Sequence, residues 1–187
     1  AQRDIDKEFK SVFIVNKKLN LTSTNKLSDL KKLRNLRFTF GSENSTSGRL
    51  MPEYFLNKAG IKTSEFKGKR PGFSGSHDAT VALVNSGAFE AGALNKQIWE
   101  KNLKNDPKRT KNVDVFFVTP SYVDYHWLAQ GDLDEKIYSG FTKKMKKAIL
   151  NLNENNPNHK RILRMFNAKK FIKSDIKQYK NIEEIGR

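Results

Sequence analysis

The sequence predicts an α/β fold with a mostly parallel sheet, because short apolar segments of strand length alternate with helical segments along the chain. Two connections, within residues 40–52 and 72–84, place small polar residues between a strand and a helix. Ligands of parallel sheets bind at loops that follow the carboxyl ends of strands. These two turns are therefore the candidate functional positions.

Strands are predicted where short runs of β-branched, aromatic or small apolar residues lie between polar turns. In order along the chain, they lie at residues 11–16, at 37–40, within 63–70, at 88–94 and at 113–118. Helices are predicted from Ser caps such as Ser28 and Ser76 and from glycine stops at Gly60 and Gly87. They cover residues 28–33, 47–59, 76–86, 97–103, 135–151 and 158–165, and a partly helical tail follows residue 171.

The composition is basic and lacks cysteine: 36 Lys and Arg against 20 Asp and Glu give a net charge of +16. The missing cysteine excludes a disulfide, a thiolate metal site and a cysteine nucleophile, and no apolar run is long enough to span a bilayer. The charge fits a polyanionic partner, such as nucleic acid or an anionic membrane. It also fits a lysine-rich solvated surface, which is favoured because the basic residues are scattered and do not alternate with aromatics.

The first turn contains Ser45, Thr46 and Ser47 at the start of a predicted helix. Backbone N–H groups at a helix N-terminus lack intrahelical partners and carry partial positive charge, and the hydroxyls add further donors. These features predict a site for a small tetrahedral oxyanion. An ordinary helix N-cap explains the same residues without a ligand, and the glycine and lysine spacing of a Walker P-loop is absent.

The second turn has the same pattern with an added histidine, His77, followed by Asp78. A single histidine is more often a structural or surface residue than a functional one. Neighbours in a helix do not face each other, so these two residues cannot form a catalytic relay with one another. The chain has three histidines, and their spacing does not resemble a metal site.

A third segment, residues 119–127, combines a strand end, a Pro turn and aromatic residues around Asp124. The segment could anchor a chain crossover, which the pattern alone favours, or form a cleft wall. In a cleft wall, Asp124 would accept a hydrogen bond from a protonated ligand oxygen.

Together, these segments resemble the phosphate/phosphite/phosphonate substrate-binding proteins of ABC transporters. The stretches that carry the resemblance are residues 28–33, 40–52, 75–79, 90–95, 119–124 and 166–171. The resemblance implies a periplasmic-binding-protein-like fold of type II, with one complete lobe and the C-terminal part of the other. Residues 1–25 would form the crossover strand and the remainder of the first lobe, 26–118 the second lobe, and 119–187 the return crossover and the C-terminal helices of the first lobe.

The resemblance also implies the ligand-binding residues. Ser45, Thr46 and Ser47 would hold the ligand oxygens, His77 would donate a hydrogen bond, and Asp124 would accept one. Asn95, at a neighbouring strand end, is a weaker candidate. A carboxylate acceptor favours ligands that carry a proton, because an unprotonated dianion would leave like charges facing each other. No catalytic residue, metal or cofactor is implied.

The predicted function is that of a non-enzymatic solute receptor that captures a small phosphorus oxyanion between two lobes and delivers it to an ABC permease. The expected location is periplasmic or otherwise extracytoplasmic, with a lipid tether as one form. Neither a nucleic-acid partner nor a membrane-spanning segment is expected. The alternative is a basic nucleic-acid-binding module, for which binding should fall steeply with salt; a phosphoryl-handling enzyme is a weaker third hypothesis.

Members of this family have an N-terminal segment that builds much of the first lobe, and residues 11–15 resemble the crossover strand that leaves that lobe. We therefore expect an incomplete first lobe. Apolar surface of this strand and of the helices after Leu133 should be exposed or covered by another chain.

Overall fold

The computed structural model describes residues 1–180, 182 and 185. Its strands are β1 (Gln2–Arg3), β2 (Ser11–Asn16), β3 (Phe38–Phe40), β4 (Gly72–Phe73), β5 (Ala91–Asn95), β6 (Val113–Val118) and β7 (Phe171–Ile172). Its α-helices are α1 (Met51–Lys58), α2 (His77–Ser86), α3 (Lys96–Asn105), α4 (Leu133–Lys136), α5 (Phe141–Leu150) and α6 (Pro157–Met165). Short 3₁₀ helices connect them at Asp4–Glu8, Lys17–Leu19, Leu27–Leu33, Thr63–Glu65, Pro107–Arg109 and Ile176–Tyr179.

The described chain forms two compact units. Residues 10–121 form what we call the mixed-sheet unit, and residues 1–9 with 122–180 form the terminal unit. The predicted division put boundaries at residues 25/26 and 118/119. The observed boundaries lie at 9/10 and 121/122, because the strand at 11–16 pairs within the mixed-sheet unit.

The mixed-sheet unit contains a five-stranded sheet in the order β4-β3-β5-β2-β6. β3 pairs in parallel with β4 and β5, as the sequence predicts. β2, however, runs antiparallel to both of its neighbours, β5 and β6. The expectation of a mostly parallel sheet is thus correct for the β4-β3-β5 half. The sheet as a whole is mixed because β2 lies between β5 and β6 in the opposite direction.

All six residues of β2 are buried. Hydrogen-bonded strands flank both of its edges, and α1, α2 and α3 contact it. Val12 and Ile14 belong to a core that also contains Val81, Leu94 and Trp99. The expectation that residues 11–15 expose apolar surface is therefore wrong: the strand lies in the interior of this unit.

The terminal unit is built around a smaller apolar cluster. Leu163, Ala168 and Phe171 are buried there, and β1 pairs with β7 antiparallel. The predicted helix over 135–151 is divided into α4 and α5 by Gly140, whose φ of 83° is a conformation that glycine adopts easily. The predicted exposure of apolar side chains after Leu133 is confirmed in part: Ile137 and Met165 are exposed, whereas Ile149 and Leu150 pack against the cluster.

Candidate anion-binding site

The first candidate turn follows β3. It leads into a short, wide helix at Thr46–Leu50, which continues as α1. Ser45 caps this turn: its Oγ accepts a hydrogen bond from the Gly48 N–H at 2.9 Å. The Gly41 N–H donates to the Gly48 carbonyl at 2.9 Å, so the loop closes on itself. The Ser45 hydroxyl proton is not used by the cap and can be donated to a ligand.

The second turn follows β4 and opens α2. Ser76 caps the helix by accepting from the Ala79 N–H at 3.2 Å. The Ser74 and Thr80 hydroxyls lie 2.7 Å apart and fix the start of this helix from the other side. Gly75, with a φ of +80°, makes the tight bend between strand and cap.

The parallel pairing of β3 and β4 brings the two turns together. The Ser74 N–H donates to the Phe40 carbonyl at 3.0 Å, and the Gly75 N–H donates to the Gly41 carbonyl at 3.2 Å. Both helices therefore begin at the carboxyl edge of one sheet, beside a cleft of about 300 Å³. The cleft is lined by Ser42, Ser45, Gly75, Ser76, His77, Asp78 and Ile98.

His77 is held against the first turn by two glycines. A Cβ atom on Gly48 would lie 3.1 Å from the His77 ring, and one on Gly41 would lie 3.6 Å from its Nδ1 atom. The Asn95 N–H points to His77 Nδ1 over a long 3.4 Å contact. Nδ1 is then the acceptor, which leaves Nε2 as the proton-bearing nitrogen of the neutral ring.

Burial lowers the pKa of His77 below its ordinary value, and the nearby Asp78 charge opposes this shift only in part. The imidazole is therefore neutral at physiological pH. None of the residues that line the cleft is a lysine or an arginine. Attraction of an anion to the cleft would therefore depend on hydroxyls, N–H groups and helix termini and not on side-chain cations, while Asp78 adds a carboxylate to the lining.

The structure brings Ser45 and His77 to one cleft but places the other predicted residues of this unit differently. Thr46 is half-buried at the same helix start, and Ser47 is fully buried. The Ser47 Oγ has no hydrogen-bond partner among the described residues, whereas its carbonyl accepts from Ser11 Oγ at 2.7 Å. Asn95 caps α3, because its Oδ1 accepts from the backbone N–H of Gln97 at 2.7 Å.

Asp124 lies in the terminal unit and is 7% exposed. Its backbone N–H donates to the Asp6 carbonyl at 3.0 Å. Burial, together with the negative charges of Asp6 and Asp124, raises the pKa of Tyr179 to about 12. Asp124 is thus part of a buried acidic region in its own unit.

Comparison with known proteins identifies the family. Residues 1–179 match the model of the family described as phosphonate-binding periplasmic substrate-binding proteins of ABC transporters. The chain belongs to this family. The family resemblance stated from the sequence motifs is confirmed, and the nucleic-acid alternative receives no support.

Named relatives agree with the family assignment. The chain is 71% identical, over all of its 187 residues, to the probable ABC transporter phosphite binding protein PhnD1 of Prochlorococcus marinus (strain MIT 9301), and covers 63% of that protein. It is 31% identical over 111 residues to the phosphonates-binding periplasmic protein of Escherichia coli (strain K12), covering 59% of this chain and 31% of that protein. The chain thus spans less than two thirds of the length of either relative.

A solved structure matches the fold. The 1.52 Å structure of PhnD1 from P. marinus in complex with methylphosphonate superposes with a TM-score of 0.94, at 71% identity, over 100% of this chain and 69% of that one. The α/β fold of the periplasmic-binding-protein class is confirmed by this match.

Sequence reasoning missed some cleft residues of this family member. Ser42 lies within the first predicted turn but was not predicted as a ligand residue, and Ile98 belongs to no motif, yet both line the cleft. The close packing of Gly48 against His77 was also missed, because residues 29 positions apart along the chain meet only through the sheet. Ser76 lies in the second predicted turn, where it was predicted as a helix cap and not as a ligand residue, although it lines the cleft.

Two further structural findings bear on function. In the described part of the chain, no cluster of His, Asp and Glu has the arrangement that a metal ion needs. Within the same residues, no helix combines the length and apolar character that crossing a membrane requires.

Proposed function

We propose that this chain is part of a solute-binding component of an ABC importer and captures a small phosphorus oxyanion, namely a phosphonate, phosphite or phosphate. The observation that carries the proposal is the convergence of Ser45 and neutral His77 at two helix starts beside one cleft. A 71% identical relative was solved with methylphosphonate, which has the size and charge that such a cleft would take.

The chemistry of the cleft favours a compact oxyanion. The Ser45 hydroxyl and the His77 Nε2–H can each donate a hydrogen bond, and hydrogen bonds to an anion are shorter and stronger than neutral ones. Donors fixed by caps and glycine packing lose little entropy when the ligand binds. A cleft without lysine or arginine binds through directed donors, so it distinguishes anions by shape and by the number of their acceptor oxygens.

Further contacts complete the proposed site. Thr46 and Ser47, whose hydroxyl has no hydrogen-bond partner among the described residues, would supply donors from the first turn. Asn95, the weaker candidate, would contact the ligand from the neighbouring strand end, where its N–H also points to His77. Asp124 would accept a hydrogen bond from a protonated ligand oxygen, which disfavours the fully ionised dianion.

The whole protein would work as a receptor without catalysis. It would deliver its ligand to the permease of an ABC importer, from a periplasmic or otherwise extracytoplasmic location in which a lipid tether is one arrangement. Closure around the ligand would select the form that the permease recognises.

Isothermal titration with phosphite, methylphosphonate and phosphate tests the proposal, with sulfate and a duplex DNA as comparison ligands. The matched variants are His77→Gln and His159→Gln, the latter on α6 of the terminal unit. We expect His77→Gln to lose roughly 1.5–3 kcal/mol of binding free energy and His159→Gln to bind as the unaltered protein does. Failure of all three phosphorus anions to bind, or equal affinities of the two variants, would contradict the proposal.

A further inference from the structure

The positive charge of the mixed-sheet unit is concentrated at one end. Four segments, residues 17–18, 31–37, 58–70 and 104–111, contain fifteen Lys and Arg and two carboxylates. The rest of this unit holds five Lys and Arg against seven carboxylates, of which Asp29, Glu90 and Asp114 lie within ion-pair distance of cations in the four segments. We call the four segments the basic end. All fifteen of its cationic residues are exposed.

Sheet topology explains why the four segments meet. Residues 31–37 precede β3, 58–70 precede β4, and 104–111 precede β6, so these segments lie at the amino ends of parallel-running strands. Residues 17–18 follow β2, which runs antiparallel and therefore ends at the same edge. Hydrogen bonds join the segments to this edge: the Lys17 N–H donates to the Asn112 carbonyl at 2.9 Å, and the Lys67 N–H to the Leu36 carbonyl at 3.0 Å.

The basic end therefore extends across the whole sheet at the edge opposite the candidate anion-binding cleft. Five strands at about 4.8 Å spacing give it a width of roughly 20 Å. Because the cleft lies at the carboxyl edge, the basic end is not part of that site. Its charge needs a separate explanation.

Local stabilisation accounts for only part of this charge. Carboxylates within 4.0 Å pair with five of the fifteen cations. Lys58 and Lys104 lie at the ends of α1 and α3, where cations favour the helix dipole. The other eight cations have no carboxylate within ion-pair distance among the described residues. Three of them, Lys18, Lys31 and Lys108, lie in the last turns of short 3₁₀ helices, and the remaining five have no such role. Their mutual repulsion favours binding to an extended negative surface.

The side-chain chemistry distinguishes two kinds of polyanion. Eleven of the fifteen cations are lysines, and three of the four arginines are held in ion pairs, which leaves Arg70. Surfaces that bind single-stranded nucleic acid combine arginine forks with exposed aromatic rings for stacking, and the four segments expose no large aromatic side chain. Lysine clusters with little geometric demand are typical of attraction to anionic headgroups. Leu103, 51% exposed next to Lys104, adds an apolar contact suited to a bilayer surface.

We propose that the basic end of the mixed-sheet unit docks on a membrane surface that contains anionic phospholipid. This surface is independent of the anion-binding cleft, so the protein can bind its solute while it is held at the membrane.

Cosedimentation with phosphatidylcholine vesicles that contain about one-third phosphatidylglycerol tests the proposal. The test variant carries Lys67→Gln, Arg70→Gln and Lys108→Gln. The matched control carries Lys143→Gln, Lys147→Gln and Lys160→Gln, three exposed lysines of the terminal unit, with the same change in net charge. We expect the test variant to lose roughly a hundredfold in vesicle affinity and the control less than about threefold. Binding of the unaltered protein should weaken steeply with added salt.

Three results would overturn the proposal: no preference of the unaltered protein for anionic vesicles, equal losses in the two triple variants, or tighter binding of duplex DNA than of vesicles through the same three residues. Circular dichroism checks that the variants fold. If the triple variant does not fold, the single variants Lys67→Gln and Lys108→Gln replace it, and each should lose about fivefold; unchanged affinity in both would equally overturn the proposal.

Discussion

Gly48 is the position where a single added methyl group tests the geometry of the cleft most directly. A Cβ at Gly48 would lie 3.0 Å from Ser45 Oγ, 3.1 Å from the His77 ring and 3.3 Å from Gly41 Cα. All three distances are shorter than ordinary van der Waals contacts of 3.4–4 Å. Because the Gly41 backbone is fixed by its own hydrogen bonds, we expect the Gly48→Ala methyl to displace the two cleft side chains.

The change in folding free energy of Gly48→Ala follows from two opposing contributions. Overpacking in a closely packed region costs about 1–3 kcal/mol, and replacing glycine by alanine gains roughly 0.4–1 kcal/mol by restricting the unfolded chain. The midpoints of these two ranges leave a net loss of folding free energy of about 1–2 kcal/mol. Weakening the two hydrogen bonds from Ser45 and His77 should cost a similar amount of binding free energy, which is roughly a 5- to 30-fold loss of affinity.

Tryptophan fluorescence can assign the stability change to the right unit. Trp99 is buried in the mixed-sheet unit and Trp127 lies in the terminal unit. In a Trp127→Phe background, urea unfolding followed by fluorescence therefore reports on the unit that contains Gly48. Titration with methylphosphonate in the same background measures the loss of affinity.

Gly131→Ala is the matched control, because nothing lies within 4 Å of a Cβ at that position. We expect this variant to leave both affinity and unfolding within about 0.5 kcal/mol of the parent. If Gly48→Ala also left both unchanged, the close packing of Gly48 against His77 would not be what positions the cleft donors, and the reasoning above would be refuted.

Three further predictions concern single side chains of the proposed site. Ser47→Ala should leave the free energy of unfolding within about 0.5 kcal/mol of the parent, because the lost hydroxyl has no hydrogen-bond partner in the described part of the chain. If this hydroxyl donates to the ligand, the variant should lose roughly 1.5–3 kcal/mol of binding free energy; titration and urea unfolding of the variant measure the two effects, and an unchanged affinity would mean that Ser47 only fills space. Burial lowers the pKa of His77 in the folded protein. The neutral ring therefore contributes fully to stability at pH values above its unfolded-state pKa of about 6.5, and this contribution is lost as the pH falls through the folded-state pKa. Urea midpoints measured between pH ~7.5 and ~5 should fall less with decreasing pH in His77→Gln than in the unaltered protein. If the midpoints of the two proteins fell equally, the buried neutral ring would be contradicted. Asp124→Asn should shift relative affinity toward the fully ionised ligand at higher pH, and identical pH profiles in titration would mean that Asp124 does not contact the ligand.

Local signals in the sequence were sufficient to predict most helices and strands of the mixed-sheet unit. The β-branched run at 11–16 and the run at 113–118 have the observed bounds of β2 and β6, because strand length and turn residues are local properties. Ser76 and Gly87 begin and end α2 as their capping preferences predict. The Ser45 cap at the start of the α1 segment is likewise a short-range hydrogen bond.

Longer-range arrangements were not predictable from these signals. The direction of β2 depends on which strands it joins, and nothing in its own residues distinguishes an antiparallel place between β5 and β6 from a parallel one. Its full burial, contrary to the expected exposure, has the same origin. The sequence shows Lys and Arg scattered along the chain, whereas the sheet gathers fifteen of them at one edge.

The sequence by itself determined the fold class, the family and the two strand–turn–helix junctions, because those depend on residue types at short spacing. The family resemblance implied that Ser45 and His77 bind the same ligand, but only the tertiary structure decided how they come to face one cleft, since the parallel pairing of β3 and β4 aligns turns that are 32 residues apart. It also decided that the pKa of His77 lies below its ordinary value, because desolvation depends on the atoms packed around the ring and not on its neighbours in sequence.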